Sequence, residues 1–311
     1  MQTVILILQI VFGIVVVIKG ADWLTEGATA LARRLGMSEI VIGLTIVAAG
    51  TSMPEFFVSL MSAINSTPDL AVGNVVGSNI FNALLIVGLA ALTSPITILK
   101  STVKKDIPIG IFASVLLIVL CLDKQISRID AAILLAGFIA FLWYTLRQSN
   151  DEPTEPAAEQ QPCPLWKSAA LIVVGLAGLV VGSKLFVSGA TTIATALGVS
   201  EAVIGLTIVA GGTSLPELAT SVVAARKGNS GIAIGNVLGS NVFNILMILG
   251  LTGLICPMQM KYISLVDFSV MLGSMCLLWL FSRTRYTIER WEGALLTASF
   301  VAYIAWLLMN V

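Results

Sequence analysis

A short stretch that combines a carboxylate, a proline and two hydroxyls lies inside a long apolar run, and it occurs twice. The first copy reads GTSMPE at 50–55 and is followed by NVVGSNIFN at 74–82. The second copy reads GTSLPE at 212–217 and is followed by NVLGSNVFN at 236–244. A charge at membrane depth is costly and usually marks a functional site. The two copies therefore predict a buried polar site.

The two copies belong to a duplication of the whole chain at an offset of 162 residues. Between 38–60 and 200–222, 16 of 23 positions are identical, and between 73–88 and 235–250, 11 of 16 are identical. Glu55 thus corresponds to Glu217. Any site built from one copy has a counterpart in the other.

The composition places the chain among polytopic membrane proteins. Hydrophobic residues make up 57% of the sequence and charged residues 11%, about half the charged fraction of a soluble domain. The formal net charge is zero, so no acidic or basic tail suggests nucleic acid, and the chain has no histidine. The four cysteines are scattered, which indicates neither a disulfide framework nor a zinc site.

Apolar runs separated by polar breaks predict ten membrane-spanning helices. Each is long enough, or nearly so, to cross about 30 Å of hydrocarbon. The predicted spans are 3–32, 38–63, 71–93, 107–122, 130–147, 167–195, 201–225, 232–254, 264–282 and 291–309.

Lysine and arginine placement predicts the orientation. With both termini outside, 12 of the 17 basic residues lie on the inner side, 3 on the outer side and 2 within spans. The proline-rich, acidic stretch at 148–166 is then a cytoplasmic linker between two halves, 1–147 and 167–311. Five spans per half is an odd number, so the halves have opposite orientations. We therefore predict an all-α membrane protein made of two inverted five-helix repeats, an arrangement common among secondary transporters.

A proline in the middle of a predicted span breaks the helix. Pro54 and Pro216 lack the amide hydrogen that would bond to the carbonyls of Gly50 and Gly212. An unsatisfied carbonyl in lipid costs several kcal/mol. A hydroxyl, a water or a cation must compensate.

The polar residues around each proline share one helical face, and every one of them offers oxygen. Helical spacing groups Ala48, Thr51, Ser52 and Glu55, then Asn74, Ser78 and Asn82, with the second copy at Ala210, Thr213, Ser214, Glu217, Asn236, Ser240 and Asn244. Oxygen-only sites suit hard cations such as calcium and sodium. One calcium ion or two sodium ions would neutralise the two carboxylates, and such a site suits exchange.

Simpler explanations exist for several of these features. The GxxxG pairs Gly73–Gly77 and Gly235–Gly239 are also typical of helix packing. Glu39 and Glu201 each follow a serine and are expected at helix starts near the interface. Asp22 corresponds to Lys184, and these two could form a buried pair or face water.

At the duplicated motifs the sequence resembles the cation/calcium exchanger superfamily, in particular prokaryotic sodium/calcium antiporters. The resemblance covers the whole chain. It implies a central calcium site and flanking sodium sites, with the first and sixth spans as a pair that slides across the core. The ligands that it implies are Glu55, Glu217, the carbonyls of Thr51, Thr213, Ala48 and Ala210, and the side chains of Ser52, Ser214, Ser78, Ser240, Asn82 and Asn244.

One position departs from some relatives, including the potassium-dependent branch, which carry aspartate where this chain has Asn244. The amide offers oxygen without charge, which argues against potassium co-transport.

The expected function is sodium/calcium antiport in the inner (plasma) membrane, with both ions as substrates and no organic cofactor. A proton-coupled calcium exchanger and a passive cation channel are the alternatives. An enzyme, such as an intramembrane hydrolase, is disfavoured because no nucleophile is evident beside the carboxylates.

Overall fold

The protein, described here from a computed structural model covering residues 2–148, 164–198, 210–261 and 263–309, is mostly helical. The helices are α1 Gln2–Leu35, α2 Glu39–Thr51, α3 Met53–Ile64, α4 Pro68–Thr93, α5 Ile107–Leu120, α6 Arg128–Gln148, α7 Leu165–Ala196, α8 Ala210–Thr213, α9 Leu215–Arg226, α10 Ser230–Ile255, α11 Leu265–Arg283 and α12 Arg290–Met309.

Seven of the described helices are each long and apolar enough to cross a membrane, and the bent pair α2 and α3 would make an eighth. The remaining two predicted spans are not tested in the same way. Helix α5 has 14 residues and continues directly from a π-helical turn at Thr102–Asp106. Residues 201–209 of the predicted seventh span lie outside the described residues, as does most of the predicted linker. The multi-pass helical architecture is confirmed, and the count of ten spans stays a prediction.

The helix break expected at each proline is present. Ser52 has φ −81° and ψ 6°, and Ser214 has φ −89° and ψ 8°, so both residues leave the helical conformation. A new helix then begins with Pro54 or Pro216 in its first turn, where a missing amide hydrogen costs nothing. The axes of α2 and α3 differ by 47°.

The two longest helices, α1 and α7, pack against each other through glycines. A Cβ atom added to Gly20 would lie 2.8 Å from the carbonyl oxygen of Gly175, and one added to Gly13 would lie 2.8 Å from that of Gly182. Only glycine allows such an approach of two helix backbones. Gly13 and Gly20 correspond to Gly175 and Gly182 at the 162-residue offset, so the two contacts are copies of each other with the halves exchanged.

Helix α1 also contacts the core through an ion pair that the sequence did not indicate. The Nζ atom of Lys227 lies 2.5 Å from Oδ1 of Asp22, and the Asn229 side chain donates a hydrogen bond of 2.7 Å to Thr29. Asp22 therefore pairs with Lys227 at the end of α9 rather than with Lys184, the partner considered from the sequence.

Four two-residue strands join the loops of one half to those of the other. Strand β1 (Ile96–Thr97) pairs with β4 (Thr287–Ile288), and β2 (Gln125–Ile126) pairs with β3 (Met258–Gln259), both antiparallel. At the 162-residue offset β1 corresponds to β3 and β2 to β4, so the copies exchange partners. The first pair joins two loops predicted inside, and the second joins two loops predicted outside.

Helix α10 is the most deeply buried of the long helices, and its glycines pack on α2. A Cβ atom added to Gly235 would lie 2.7 Å from the carbonyl oxygen of Ile40, and one added to Gly239 would lie 2.6 Å from that of Leu44. The packing explanation of GxxxG therefore holds for this copy. The residues equivalent to Ile40 and Leu44 in the second half lie outside the described residues.

Candidate cation-binding centre

Each of the two motif carboxylates is held by a serine from the opposite half. The Ser52 hydroxyl donates to Oε1 of Glu217 at 3.0 Å, and the Ser214 hydroxyl donates to Oε1 of Glu55 at 2.9 Å. Both glutamates are buried, with 1% of their surface exposed. The two helix breaks therefore meet, and the two carboxylates lie in one cluster as the sequence predicted.

The second oxygen of each carboxylate has no hydrogen-bond partner among the described residues. The same holds for the side-chain oxygens of Asn82 and Asn244, and for the hydroxyl of Ser240. Buried acceptors are almost always satisfied in proteins, so each exception requires an explanation. The four acceptor oxygens of Glu55, Glu217, Asn82 and Asn244 form two pairs that correspond at the 162-residue offset. Two of them are anionic, and a cation would satisfy them.

The turn after each break is held by an asparagine on the following helix. The Asn74 amide nitrogen donates to the Glu55 carbonyl at 3.2 Å and to Ser59 Oγ at 3.0 Å. Asn236 makes the same two contacts, with the Glu217 carbonyl at 3.2 Å and Ser221 Oγ at 3.0 Å. These amides thus brace the backbone of the glutamates.

One oxygen that the sequence assigned to the centre already has a protein donor. The Oδ1 atom of Asn236 lies 3.0 Å from the hydroxyl of Thr51, which donates to it. An amide oxygen has two lone pairs, so one remains for a further partner.

Asn82 and Asn244 lie in π-helical turns, Phe81–Ile86 and Phe243–Ile248. Such wide turns are rare and frequently occur at functional sites. The Asn82 amide nitrogen donates to Oδ1 of Asn241, and that of Asn244 donates to Oδ1 of Asn79, both at 3.0 Å. Both contacts cross between α4 and α10.

Two of the remaining predicted ligands contact the serines at the helix breaks. Ser214 Oγ is 3.2 Å from Ser78 Oγ, and the Ala48 carbonyl accepts the amide of Ser52 at 3.0 Å. Thr213 is half-buried, and Ala210 begins the described part of α8. The side chains at Thr51, Ser52, Ser78, Ser214 and Ser240 are buried.

The chemistry of this centre suits a hard cation. Within the described residues no group of three or more His, Cys, Asp or Glu side chains could hold a metal ion. The anionic side chains of this cluster are the two glutamates, and its other oxygens are neutral. Calcium accepts about 6–8 oxygen ligands in irregular geometry, and oxygen-only surroundings select it over softer transition metals.

Comparison with known proteins decides the family. A family model described as sodium/calcium exchanger protein matches residues 5–147 and again residues 167–309. The chain belongs to the sodium/calcium exchanger family. The two matched segments cover the two halves defined by the 162-residue offset.

Individual relatives agree over almost the whole chain. A putative antiporter, CaxA from Alkalimonas amylolytica, is 40% identical over 94% of this chain and 96% of its own. The sodium/calcium exchanger MaX1 from Methanosarcina acetivorans is 35% identical over 96% and 97%. A solved structure of the sodium-calcium exchanger NCX_Mj, soaked with sodium and calcium, superposes with a TM-score of 0.86 at 35% identity, covering 97% of this chain and 98% of that one.

These similarities establish the general class of the protein. It is a cation/calcium antiporter in a membrane and not an enzyme, as the sequence predicted.

The sequence did not predict the contacts of Asn79 and Asn241. Both occur in the duplicated motif at 74–82 and 236–244, so their repetition was a signal, but only the packing of α4 on α10 gives their partners.

Proposed function

We propose that this antiporter exchanges sodium for calcium by alternating access at a single site formed between its two halves. The observation that carries the proposal is a set of buried oxygens that have no donor within the described part of the chain, two on glutamates and two on asparagines, drawn equally from both halves. Each half alone supplies one carboxylate, and a single calcium ion would need both for charge balance.

In this proposal calcium lies between Glu55 and Glu217, with the carbonyls of Thr51 and Thr213 beside it. Sodium ions occupy flanking positions, and Asn82 and Asn244 complete the centre. The flanking ligands are the hydroxyls of Ser52, Ser78, Ser214 and Ser240 and the carbonyls of Ala48 and Ala210. Emptying the site would leave two carboxylates in a low dielectric, which is unfavourable. The site therefore favours exchange of one type of ion for the other over a change of access with no ion bound.

We further propose that the two halves are inverted five-helix repeats. The support is the exchange of partners at the 162-residue offset, seen in the strand pairs, in the serine–glutamate contacts and in the glycines of α1 and α7. When two inverted repeats exchange conformations, the site between them opens first to one side of the membrane and then to the other. Helices α1 and α7 would slide as a pair during this change.

The proposed location is the inner (plasma) membrane, with both termini outside and the linker at 148–166 in the cytoplasm. The inward sodium gradient would then drive calcium out of the cell.

Coupling to protons is the second candidate, and one observation favours it. The Oε2 atoms of Glu55 and Glu217, which have no partner in the part of the chain that the structure describes, could accept a proton as well as a cation. The many hydroxyls around them favour sodium, because a proton carrier has no need of additional oxygen ligands.

The test measures ⁴⁵Ca²⁺ uptake by proteoliposomes under an imposed sodium gradient and, separately, under an imposed pH gradient. Uptake should follow the sodium gradient. Uptake that follows only the pH gradient would replace sodium by protons in the proposal, and uptake that requires neither gradient would indicate a channel.

In the same assay Glu55→Gln and Glu217→Gln should each reduce exchange by at least about 100-fold, because removing one partner of a buried charge interaction costs about 3–5 kcal/mol. Glu289→Gln is the matched control, since this carboxylate forms an exposed ion pair with Arg285. Exchange that persists in both motif variants would contradict the proposed site.

A further inference from the structure

Two asparagines that are absent from the proposed ligand set lie directly behind it. Asn79 on α4 and Asn241 on α10 are both buried, with 1% of their surface exposed. Each accepts a hydrogen bond from a proposed ligand on the other helix, Asn79 from Asn244 and Asn241 from Asn82, at 3.0 Å.

The orientation of Asn79 is fixed by a backbone group. Its amide nitrogen donates to the carbonyl oxygen of Asn241 at 3.2 Å. A carbonyl only accepts hydrogen bonds. The Asn79 side chain therefore cannot turn over without losing this bond, and its Oδ1 atom must face Asn244.

This anchor determines which end of Asn244 faces the cation. An asparagine side chain offers an oxygen at one end and a donating NH₂ group at the other. Because Asn79 presents an acceptor, Asn244 must turn its NH₂ group toward Asn79. Its oxygen, which has no other partner among the described residues, is then the end available to a cation.

Asn244 with Asn79 forms one arm of this arrangement, and Asn82 with Asn241 forms the second. The second arm makes the same kind of hydrogen bond, but its anchor is weaker. The amide nitrogen of Asn241 donates to Sδ of Met275 at 3.2 Å, and its Oδ1 atom accepts from Asn82. A thioether is a weak acceptor compared with a carbonyl. The residue that corresponds to Met275 in the first half is Ala113, so the two arms are anchored differently.

We propose that Asn79 and Asn241 are positioning residues that turn the side-chain oxygens of Asn244 and Asn82 toward the transported cation. The inference rests on the proposed function, because it assigns a role within the same site. Without Asn79 the Asn244 side chain is free to present its NH₂ group, whose partial positive charge opposes a cation. The loss falls on cation affinity, and the maximal rate is largely spared.

The experiment is a double-mutant cycle read out as the calcium KM and maximal rate of ⁴⁵Ca²⁺ exchange in proteoliposomes. Asn79→Leu should raise the calcium KM about tenfold, with the maximal rate within about twofold. In an Asn244→Ala background, where no oxygen remains to be turned, the same substitution should change KM by less than about twofold. In an Asn82→Ala background it should keep its tenfold effect, because Asn82 belongs to the other arm.

A matched control separates positioning from general stability. The control is Ser114→Ala, which removes a buried hydroxyl that donates within its own helix to the Gly110 carbonyl. It should leave KM unchanged.

Either of two results would overturn the inference. One is an unchanged calcium KM in Asn79→Leu, and the other is a change in KM of equal size whether or not Asn244 is present. If Asn79→Leu does not fold, the cycle with Asn79→Ser decides by the same criterion. Failure of the proposed function looks different: wild-type protein would show no sodium-driven uptake, while the coupling of Asn79 to Asn244 would still be measured in pH-driven uptake.

Discussion

At the scale of single residues, the site depends on hydroxyls that connect the halves. Ser52 and Ser214 each donate to the glutamate of the other copy. Ser52 precedes Pro54 at the break, so the same residue ends one helix and contacts the opposite carboxylate. The sequence predicted both serines as ligands from their helical face. It could not predict that each one reaches across to the other half.

Ser52→Ala and Ser214→Ala should each raise the sodium concentration that gives half-maximal calcium exchange by about tenfold. A hydrogen bond to a charged group contributes roughly 1.5–3 kcal/mol, and the hydroxyl is also a proposed sodium ligand. The measurement is sodium-dependent calcium release from loaded proteoliposomes. Sodium dependence like that of the wild type in both variants would show that these hydroxyls are not sodium ligands.

At the scale of helices, two features place the site within the core. The breaks at Ser52 and Ser214 follow from the prolines, and the sequence predicted them. The close packing of α1 on α7 follows from glycines spaced seven residues apart, at 13, 20 and 27 and at 175, 182 and 189. That spacing was visible in the sequence, but a glycine alone does not indicate which helix it faces.

Gly20→Val should separate α1 from α7, because the added side chain would meet the backbone of Gly175 and Gly178. Overpacking of this kind costs about 1–3 kcal/mol, which corresponds to a thermal midpoint lower by about 2–6 °C in detergent. Gly273→Val is the control, since a Cβ atom there contacts nothing within 4 Å. Equal midpoints for the two variants would contradict the described packing.

At the scale of the whole molecule, the duplicated halves contact each other through exchanged copies of the same elements. The strand pairs are the clearest example, because β1 pairs with β4 and β2 with β3. These two-residue strands could not be predicted, because they are too short to show a periodicity. Their partners are distant in the chain and meet only because the helices between them pack together.

The two strand pairs are expected on opposite sides of the membrane, with β1–β4 inside and β2–β3 outside. Lys104 lies near the β1–β4 end and Lys124 near the β2–β3 end, and both are exposed. In a cysteine-free background, Lys124→Cys should react with a membrane-impermeant maleimide in intact cells. Lys104→Cys should react only after permeabilisation. The reverse pattern would invert the proposed orientation, and labelling of both from one side would contradict the ten-span count.

The sequence therefore predicted the class and the duplication, because these depend on composition and repetition, and the ligand set stays a prediction. It did not predict the Lys227–Asp22 ion pair, the Asn79 and Asn241 contacts or the Thr51–Asn236 hydrogen bond. Each of these depends on which side chains meet across helices. Local patterns carry no information on that point.

In the proposed mechanism Glu55 and Glu217 are two parts of one calcium site. Equilibrium dialysis of purified protein against ⁴⁵Ca²⁺ in sodium-free buffer counts the ions that this site holds. We predict one sodium-displaceable calcium ion per chain in the wild type, and none in either Glu55→Gln or Glu217→Gln. Two calcium ions per wild-type chain, with one retained in each single variant, would show two independent sites and contradict this claim.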